Sequence, residues 1–288
     1  MRMISIERLE QKIGEFSLRI HELRIARGIT LLVGANGAGK STLLELLATV
    51  QLPRSGSIQY DGRSAQDALP LLRSQIGYVP SDIELYEDMT VYKLLKYLGE
   101  LKGMYHLERI EALIEDFRLS AYRNTRIKRL SAGVQRRIAI AQSLLASPQF
   151  LFLDEPLNGM DSAERKLVIA YLNKYAEGRT IIAAVHELGE WESASDRLLW
   201  LDHGQAGFYG NQERWLSDLP YKVWQGRLTK DQFQLYFTSD RSIIEFREVD
   251  HGMMVLRVVA AEAPFHGWNE VFPTMEDAYF IRKFTRSK

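Results

Sequence analysis

Residues 34–41 read Gly-Ala-Asn-Gly-Ala-Gly-Lys-Ser and match the phosphate-binding pattern G-x-x-x-x-G-K-[ST]. Glycines at three of these positions allow the backbone to curl so that successive N–H groups point at an anion. We expect Lys40 to reach the β- and γ-phosphates of a nucleotide and the Ser41 hydroxyl to hold Mg²⁺. The residues predicted to bind the nucleotide here are Gly34, Ala35, Asn36, Gly37, Ala38, Gly39, Lys40, Ser41 and Thr42.

Two adjacent carboxylates, Asp154 and Glu155, follow the apolar run 150–153 and precede a proline. A carboxylate at the tip of a buried strand can bind Mg²⁺ directly or through water, which is the role predicted for Asp154. Glu155 is predicted to act as a general base toward water, a role worth about 10²–10⁴ in rate. The alternative is that Asp-Glu-Pro merely starts a turn. The phosphate loop in the same chain favours the catalytic interpretation.

Residues 130–137 read Leu-Ser-Ala-Gly-Val-Gln-Arg-Arg and predict the start of a helix with Ser131 as its N-cap. The small residue Gly133 allows another backbone, or an anion, to approach the helix N-terminus closely. From these residues alone, ordinary helix capping and a role in phosphate binding both remain open.

The elements around these residues predict an α/β fold. The apolar run 29–33 reads as a buried strand that enters the phosphate loop, and 43–47 continues as a helix. Strand 150–153, helix 163–175 and strand 180–185 form a βαβ unit, which implies parallel strands. Further strands are predicted at 75–79 and 197–202. Alternating apolar residues between 4 and 20, with strand 57–60, predict an antiparallel β subdomain beside a phosphate-loop core of mainly parallel strands.

Two segments have a different character. Helical periodicity begins at Thr90, so residues of about 82–135 are predicted to form a helical insertion. After residue 216 we expect a small α+β accessory region, 217–288, separate from the first domain, 1–216. Within it, 243–246 and 253–259 predict a hairpin around Asp250, His251 and Gly252, and 274–284 predicts a closing helix.

The composition excludes several classes of function. The 288 residues contain 37 basic and 37 acidic side chains and no cysteine. Disulfides, zinc–cysteine clusters and cysteine nucleophiles are therefore excluded, and no global charge directs the chain to nucleic acid. The N-terminus lacks the apolar core of a signal peptide, and no uncharged apolar run approaches the ~18 residues of a membrane helix. If the protein works at a membrane, we expect it to be peripheral.

Together these motifs resemble the nucleotide-binding subunit of an ATP-binding cassette (ABC) transporter, from about residue 3 to residue 215. The resemblance implies ATP and Mg²⁺ as ligands, a transmembrane permease subunit as partner, and a peripheral position on the cytoplasmic face of the cell membrane. It also implies a dimer of such subunits, either two copies of this chain or this chain with a non-identical subunit, in which Ser131 and Gly133 of one subunit contact the γ-phosphate held by the other. The family signature Leu-Ser-Gly-Gly-Gln is altered here to Ala132 and Val134.

The resemblance assigns further roles. Asp161, in the segment 158–161, resembles the residue that links the two sites across the dimer, and His186 resembles the histidine that contacts the γ-phosphate. Ser81 stands where the family has a Mg²⁺-sensing glutamine. Because serine is shorter, it could act on the metal only through a bridging water, which predicts slower or more loosely coupled hydrolysis. The family's adenine-stacking ring is assigned to Phe16, although Ile13 could equally fill that place.

The end of the chain bears on the direction of transport. Residues 273–280, Pro-Thr-Met-Glu-Asp-Ala-Tyr-Phe, resemble the closing helix of bacterial drug, antibiotic-peptide and lipid exporter ATPases, although a plain amphipathic helix would have a similar pattern. The predicted function is therefore a transport-coupled ATPase, most similar to bacterial exporter subunits, whose helical insertion docks the permease near Tyr86, Glu87 and Met89. The alternative is an ABC-type ATPase of an assembly or repair complex, such as iron–sulfur assembly, with no membrane partner.

Overall fold

A computed structural model describes residues 3–67, 69–105, 107–217, 219–239, 242–249 and 252–286. The chain forms two compact units. The first comprises Met1–His186 and Ser193–Gly210, and the second comprises Glu187–Glu192 and Asn211–Lys288. Within the described residues, no helix combines the length and apolarity needed to cross a bilayer.

The first unit is built on one mixed sheet. Its central strands pair in parallel and are apolar and buried on both faces, as expected for strands covered by helices. The N-terminal strands pair antiparallel. The strands are β1 (Met3–Ile13), β2 (Phe16–Ala26), β3 (Gly28–Val33), β4 (Ser55–Tyr60), β5 (Arg63–Ser64), β6 (Ile76–Val79), β7 (Phe150–Asp154), β8 (Thr180–Ala184), β9 (Arg197–Asp202) and β10 (Gln205–Asn211).

The strand order in this sheet is β5-β4-β1-β2-β10-β9-β3-β8-β7-β6. The predicted mixed α/β fold is confirmed, and the antiparallel strands are continuous with the parallel core. The strand that joins them is β10, which pairs in parallel with β2. In this order β3 lies directly beside β8, and β8 beside β7, so the phosphate loop and the carboxylates leave the same edge of the sheet.

Except for α2, the helices of this unit lie at the positions that the sequence pattern indicates. Helix α1 starts directly at the end of the phosphate loop, and the segment after β6 is mainly helical up to the start of α5. The N-cap of α3 is Thr90, whose side chain accepts a hydrogen bond from the backbone N–H of Lys93. The helices of this unit are α1 (Lys40–Leu47), α2 (Leu69–Gln75), α3 (Val91–Leu101), α4 (Leu107–Asp116), α5 (Ala132–Ser143) and α6 (Ser162–Tyr175).

The second unit contains a smaller antiparallel sheet with the order β12-β13-β11-β14. Because β13 is antiparallel to both of its neighbours, β11 and β12 run parallel with β13 between them, which is a split βαβ arrangement. Its elements are α7 (Gln212–Leu216), β11 (Lys222–Thr229), α8 (Lys230–Ser239), β12 (Ile243–Val249), β13 (Met253–Ala260), β14 (Asn269–Val271) and α9 (Met275–Arg286). The predicted hairpin strands correspond to β12 and β13, and Asp250 and His251 of the predicted turn lie outside the described residues.

Helix α9 is fixed by polar contacts at its N-terminus. Thr274 and Asp277 form a reciprocal cap, in which each backbone N–H donates to the other side chain, at 2.7 and 3.1 Å. The carboxylate of Asp277, which is 2% exposed, also accepts from the guanidinium of Arg257 on β13. This buried ion pair attaches the closing helix to the sheet.

Candidate nucleotide site

The phosphate loop has the backbone conformation that its glycines predict. Gly37 and Gly39 have φ angles of 78° and 100°, in the left-handed region that favours glycine. A Cβ on Gly39 would lie 2.7 Å from Cζ of Phe16, and a Cβ on Gly34 would lie 2.5 Å from the carbonyl oxygen of Leu201. No other residue type fits these two positions without rearrangement.

Lys40 folds back over its own loop. Its ammonium donates to the carbonyl oxygens of Gly34 at 2.8 Å and Ala35 at 3.2 Å. The side chain is 8% exposed, and this burial lowers the pKa of Lys40, while Asp154 and Glu155 act in the opposite direction. The lysine therefore presents a weakly hydrated charge next to two carboxylates.

Asp154 occupies the end of β7 and is 2% exposed. Burial raises the pKa of this carboxyl, and a hydrogen bond with Ser41 partly offsets the rise. Its Oδ2 atom is buried and lacks a hydrogen-bond partner among the described residues. An unsatisfied buried carboxylate oxygen next to a hydroxyl provides the oxygen ligands that Mg²⁺ prefers, so the residues present fit this metal.

Glu155 is held by two polar neighbours. Its Oε1 atom lies 2.6 Å from Nε2 of His186, and its Oε2 atom accepts a hydrogen bond from the side-chain amide of Asn158. Its φ of 50° is left-handed, an uncommon conformation for glutamate, and its backbone N–H donates to the carbonyl of Ala184 at 3.0 Å. The chain therefore turns at Glu155, directly after β7.

One cavity of about 430 Å³ brings most of the predicted nucleotide residues together with both carboxylates. Phe16 and Ile13, the two candidates for the adenine contact, face each other across the β1–β2 turn and both line it. Phe16 also packs against the core of the unit, whereas Ile13 is 45% exposed. The lining residues are Ile13, Phe16, Asn36, Gly37, Gly39, Lys40, Ser41, Thr42, Asp154 and Glu155.

Ser131, Gly133 and Asp161 do not line this cavity in the described part of the chain. Ser131 caps α5 by accepting from the backbone N–H of Val134 at 3.4 Å. A Cβ on Gly133 would lie 2.6 Å from the carbonyl oxygen of Gly159, so this glycine lets the first turn of α5 approach the loop before α6 closely. Asp161 caps α6 in a reciprocal pair with Glu164. The three residues therefore lie in one packed region next to α5 and α6.

The backbone at Ser81 is fixed by hydrogen bonds from a residue that is distant in the sequence. The guanidinium of Arg136, 6% exposed, donates to the carbonyl oxygen of Pro80 at 2.7 Å and to that of Ser81 at 2.6 Å. Burial lowers the pKa of Arg136, and the charges of Glu155 and Asp154 act in the opposite direction. Arg136 and Asn158 were not identified as site residues from the sequence. The sequence feature that could have identified them is proximity along the chain, because Arg136 follows the signature segment and Asn158 follows the two carboxylates.

Comparison with protein families shows one matching model, described as ABC transporter, over residues 18–158. An uncharacterised ABC transporter ATP-binding protein of Methanocaldococcus jannaschii is 32% identical over 241 residues, which cover 80% of this chain and 86% of that protein. Similarity also extends to human retinal-specific phospholipid-transporting ATPase ABCA4, 33% identical over 180 residues. That match covers 62% of this chain and 8% of ABCA4, and the chain spans only 10% of rat ATP-binding cassette sub-family A member 17.

Solved structures show the same fold. An ATP-binding subunit of an ABC transporter superposes with a TM-score of 0.67 at 23% identity, covering 74% of this chain and 91% of that one. A dimeric, post-hydrolysis ATP-binding cassette bound to ADP and phosphate superposes with a TM-score of 0.62 at 21% identity, covering 73% and 98%.

Proposed function

Because the chain belongs to the ATP-binding proteins of ABC transporters, we propose that it binds and hydrolyses ATP to drive a transmembrane permease subunit. One observation carries the proposal: the phosphate loop, Asp154 and Glu155 surround a single cavity. Family membership supports ATP as the nucleotide. We assign the cassette to residues 1–216 and an accessory role to 217–288.

In the proposed reaction, a water molecule attacks the γ-phosphorus as the bond to the leaving ADP oxygen breaks. Glu155 accepts the proton of this water. Both of its oxygens already have neighbours, His186 and Asn158, yet a carboxylate offers about four acceptor positions, so a water can be bound as well. Lys40 and the N–H groups of the loop stabilise charge on the phosphate oxygens, and His186 orients both Glu155 and the γ-phosphate.

Ser41 and Asp154 would hold Mg²⁺, with Ser81 acting through a bridging water. When bound, the metal neutralises phosphate charge and orients the phosphate groups. Asp154 supplies a carboxylate that is already desolvated and lacks a partner for Oδ2. The metal-binding carboxylate is therefore already desolvated before the metal binds.

We further propose that two copies of this chain assemble head to tail. Ser131 and Gly133 of each copy would then face the triphosphate bound by the other, and Asp161 would link the two sites. This explains why these residues pack together outside the cavity that the phosphate loop forms. In this arrangement ATP closes the dimer and hydrolysis reopens it.

We infer that the complex is an exporter and that the chain is peripheral on the cytoplasmic face of the membrane. The resemblance of residues 273–280 to exporter ATPases supports export. Helix α3 and the segment before it, with Tyr86 54% exposed, would dock the permease.

The variant Glu155→Gln tests the catalytic assignment. It keeps the shape of the side chain but removes the base, so hydrolysis should fall by about 10²–10⁴ while ATP binding persists. Size-exclusion chromatography with ATP should then show a trapped dimer. Glu177→Gln, at an exposed position outside the cavity, serves as the matched control and should leave hydrolysis unchanged. Parent-rate hydrolysis by Glu155→Gln would falsify the assignment of the base.

Co-expression tests the transport assignment. The chain should sediment with membranes only when a multi-spanning protein encoded beside it is produced in the same cells. Stable assembly with non-membrane proteins in place of such a partner would instead establish the assembly-complex alternative.

A further inference from the structure

The second unit presents two arginines across one strand of its sheet. Arg227 on β11 and Arg247 on β12 each stand opposite Val255 of β13. Directly opposed residues project to the same face of an antiparallel sheet, so the two guanidinium groups flank one valine. At the other end of this face, Val223 and Val259 pack against Ile281 of α9, whereas both arginines are exposed.

Both arginines line a cavity of about 770 Å³, which is within the usual size range of small-molecule sites. His266 is the third basic residue in its wall, and amide groups come from Gln225, Gln232 and Asn269. In the described part of the second unit, no aspartate or glutamate lines it. The cavity therefore combines positive charge with hydrogen-bond donors.

Two acids on this side of the sheet act on Arg257, and one of them, Glu245, lines an adjoining cavity together with Arg247. Asp277 accepts from Nε of Arg257 at 3.1 and 3.0 Å, and Glu245, opposite Arg257 on β12, acts with Asp277 to raise the pKa of that arginine. Within the described residues, no ion pair involves Arg227 or Arg247. Two like charges on one sheet face repel each other, and an anion between them would remove that repulsion.

The cavity also has an aromatic wall. The ring of Trp268 lies against Gly226, where a Cβ would come within 2.3 Å of the ring atoms. The centroid of the Phe265 ring is 5.5 Å from that of Trp268, and Phe265 remains 36% exposed. Because side chains alternate along β11, Trp268 packs on the sheet face opposite to Arg227, in the cluster that contains Leu228.

We propose that this cavity binds a small organic phosphate. The phosphate lies between Arg227 and Arg247, because a guanidinium binds phosphate oxygens in a bidentate manner. The site lies within the second unit and is independent of ATP hydrolysis.

Calorimetric titration of the full chain with phenyl phosphate tests the proposal. The titration uses the Lys40→Ala background, which weakens competing binding at the phosphate loop. We expect saturable millimolar binding that weakens as salt is added. Arg227→Gln and Arg247→Gln should each weaken it about tenfold, since each removes a charge-assisted contact. Lys222→Gln removes a charge from the same strand outside the cavity wall and should leave binding unchanged.

Two further readouts separate binding from a structural role. The double variant should keep or raise the thermal midpoint, because it removes two repelling charges. In ¹H–¹⁵N spectra of the protein with both arginines intact, phenyl phosphate should shift signals of residues 225–228 and 265–269. The proposal is wrong if these signals do not move, if the double variant binds as tightly as its parent, or if only phosphatidylglycerol vesicles bind.

Discussion

The phosphate loop and the segment at Ser81, both predicted to act in catalysis, are held in place in different ways. In the loop, the glycine conformations and the contacts of Lys40 lie within eight consecutive residues. At Ser81, the backbone is held by Arg136, which is 55 positions away in the sequence. The first region is therefore specified locally, and the second depends on the packing of α5 against the end of β6.

This difference separates what a motif can specify from what tertiary structure must supply. Phosphate binding requires only a correctly curled backbone, so a short pattern is sufficient. Reporting the state of the site to the helical insertion requires a connection between distant elements. In this chain Arg136 makes such a connection, at a place where the expected glutamine is a serine.

The largest effect is expected in the locally specified region. Gly39→Ala forces a left-handed alanine, at about 1–2 kcal/mol, and brings its Cβ against Phe16. ATP hydrolysis should fall about 10²-fold because the N–H groups of the loop are no longer oriented toward the phosphate oxygens. Gly37→Ala is the control, since its Cβ meets nothing within 4 Å, and its effect should be smaller. Equal losses of hydrolysis and thermal midpoint in both variants would show that contact with Phe16 is unimportant.

A smaller effect on hydrolysis is expected when the contact between Arg136 and the backbone at Ser81 is removed. Arg136→Gln cannot satisfy both carbonyls and should lower the free energy of unfolding by about 2 kcal/mol. Its kcat should fall about tenfold with little change in the KM for ATP, because the phosphate loop is intact. Arg136→Lys should recover part of kcat, and Arg129→Gln, at an exposed position, should match the parent. A raised KM with unchanged kcat would contradict the role of Arg136 in positioning the segment at Ser81.

Restoring the family residue sharpens the comparison further. Ser81→Gln supplies an amide that can reach the metal and water without a bridge, so hydrolysis should rise about two- to tenfold, as one hydrogen bond allows. The measurements are steady-state ATPase rates with and without the permease. If neither the rate nor its stimulation by the permease changes, Ser81 does not limit hydrolysis or coupling.

The smallest effect concerns stability. Because burial raises the pKa of Asp154 above its value in the unfolded chain, ionised Asp154 destabilises the nucleotide-free protein. The stabilising contribution of this group is present below the unfolded pKa and is lost as pH rises through the folded pKa. Asp154→Asn should therefore raise the free energy of unfolding by about 1 kcal/mol at neutral pH and less in acid, while Mg²⁺-dependent nucleotide binding is lost. Thermal unfolding across pH measures this, and a lower midpoint at neutral pH would contradict it.

The sequence predicted the fold where its local patterns are strong. The apolar run before the phosphate loop and the βαβ unit behind the carboxylates correspond to β3, β7, α6 and β8. Strand β10 was not predicted, because residues 205–211 alternate weakly and include two glycines. Helix α2 was also not predicted. It is short, and its second residue is Pro70, a helix breaker that is tolerated in a first turn.

For the site, short-range chemistry could be predicted from the sequence and long-range contacts could not. The neighbours of Asp154 in the phosphate loop follow from strand order, since β3 and β7 both pair with β8. The contacts of Glu155 with Asn158 and of Arg136 with Pro80 depend on side-chain conformations that no spacing rule specifies. The roles assigned to Ser131, Gly133 and Asp161 stay predictions, because they require a second copy of the chain.

The contact between Gly133 and Gly159 imposes a constraint on how this protein can evolve. The backbone at Gly159 occupies the space that a larger side chain at position 133 of α5 would need, with only 2.6 Å between a Cβ on Gly133 and the carbonyl oxygen of Gly159. Descendants of this gene can therefore enlarge position 133 only if the loop at 159 moves in the same lineage.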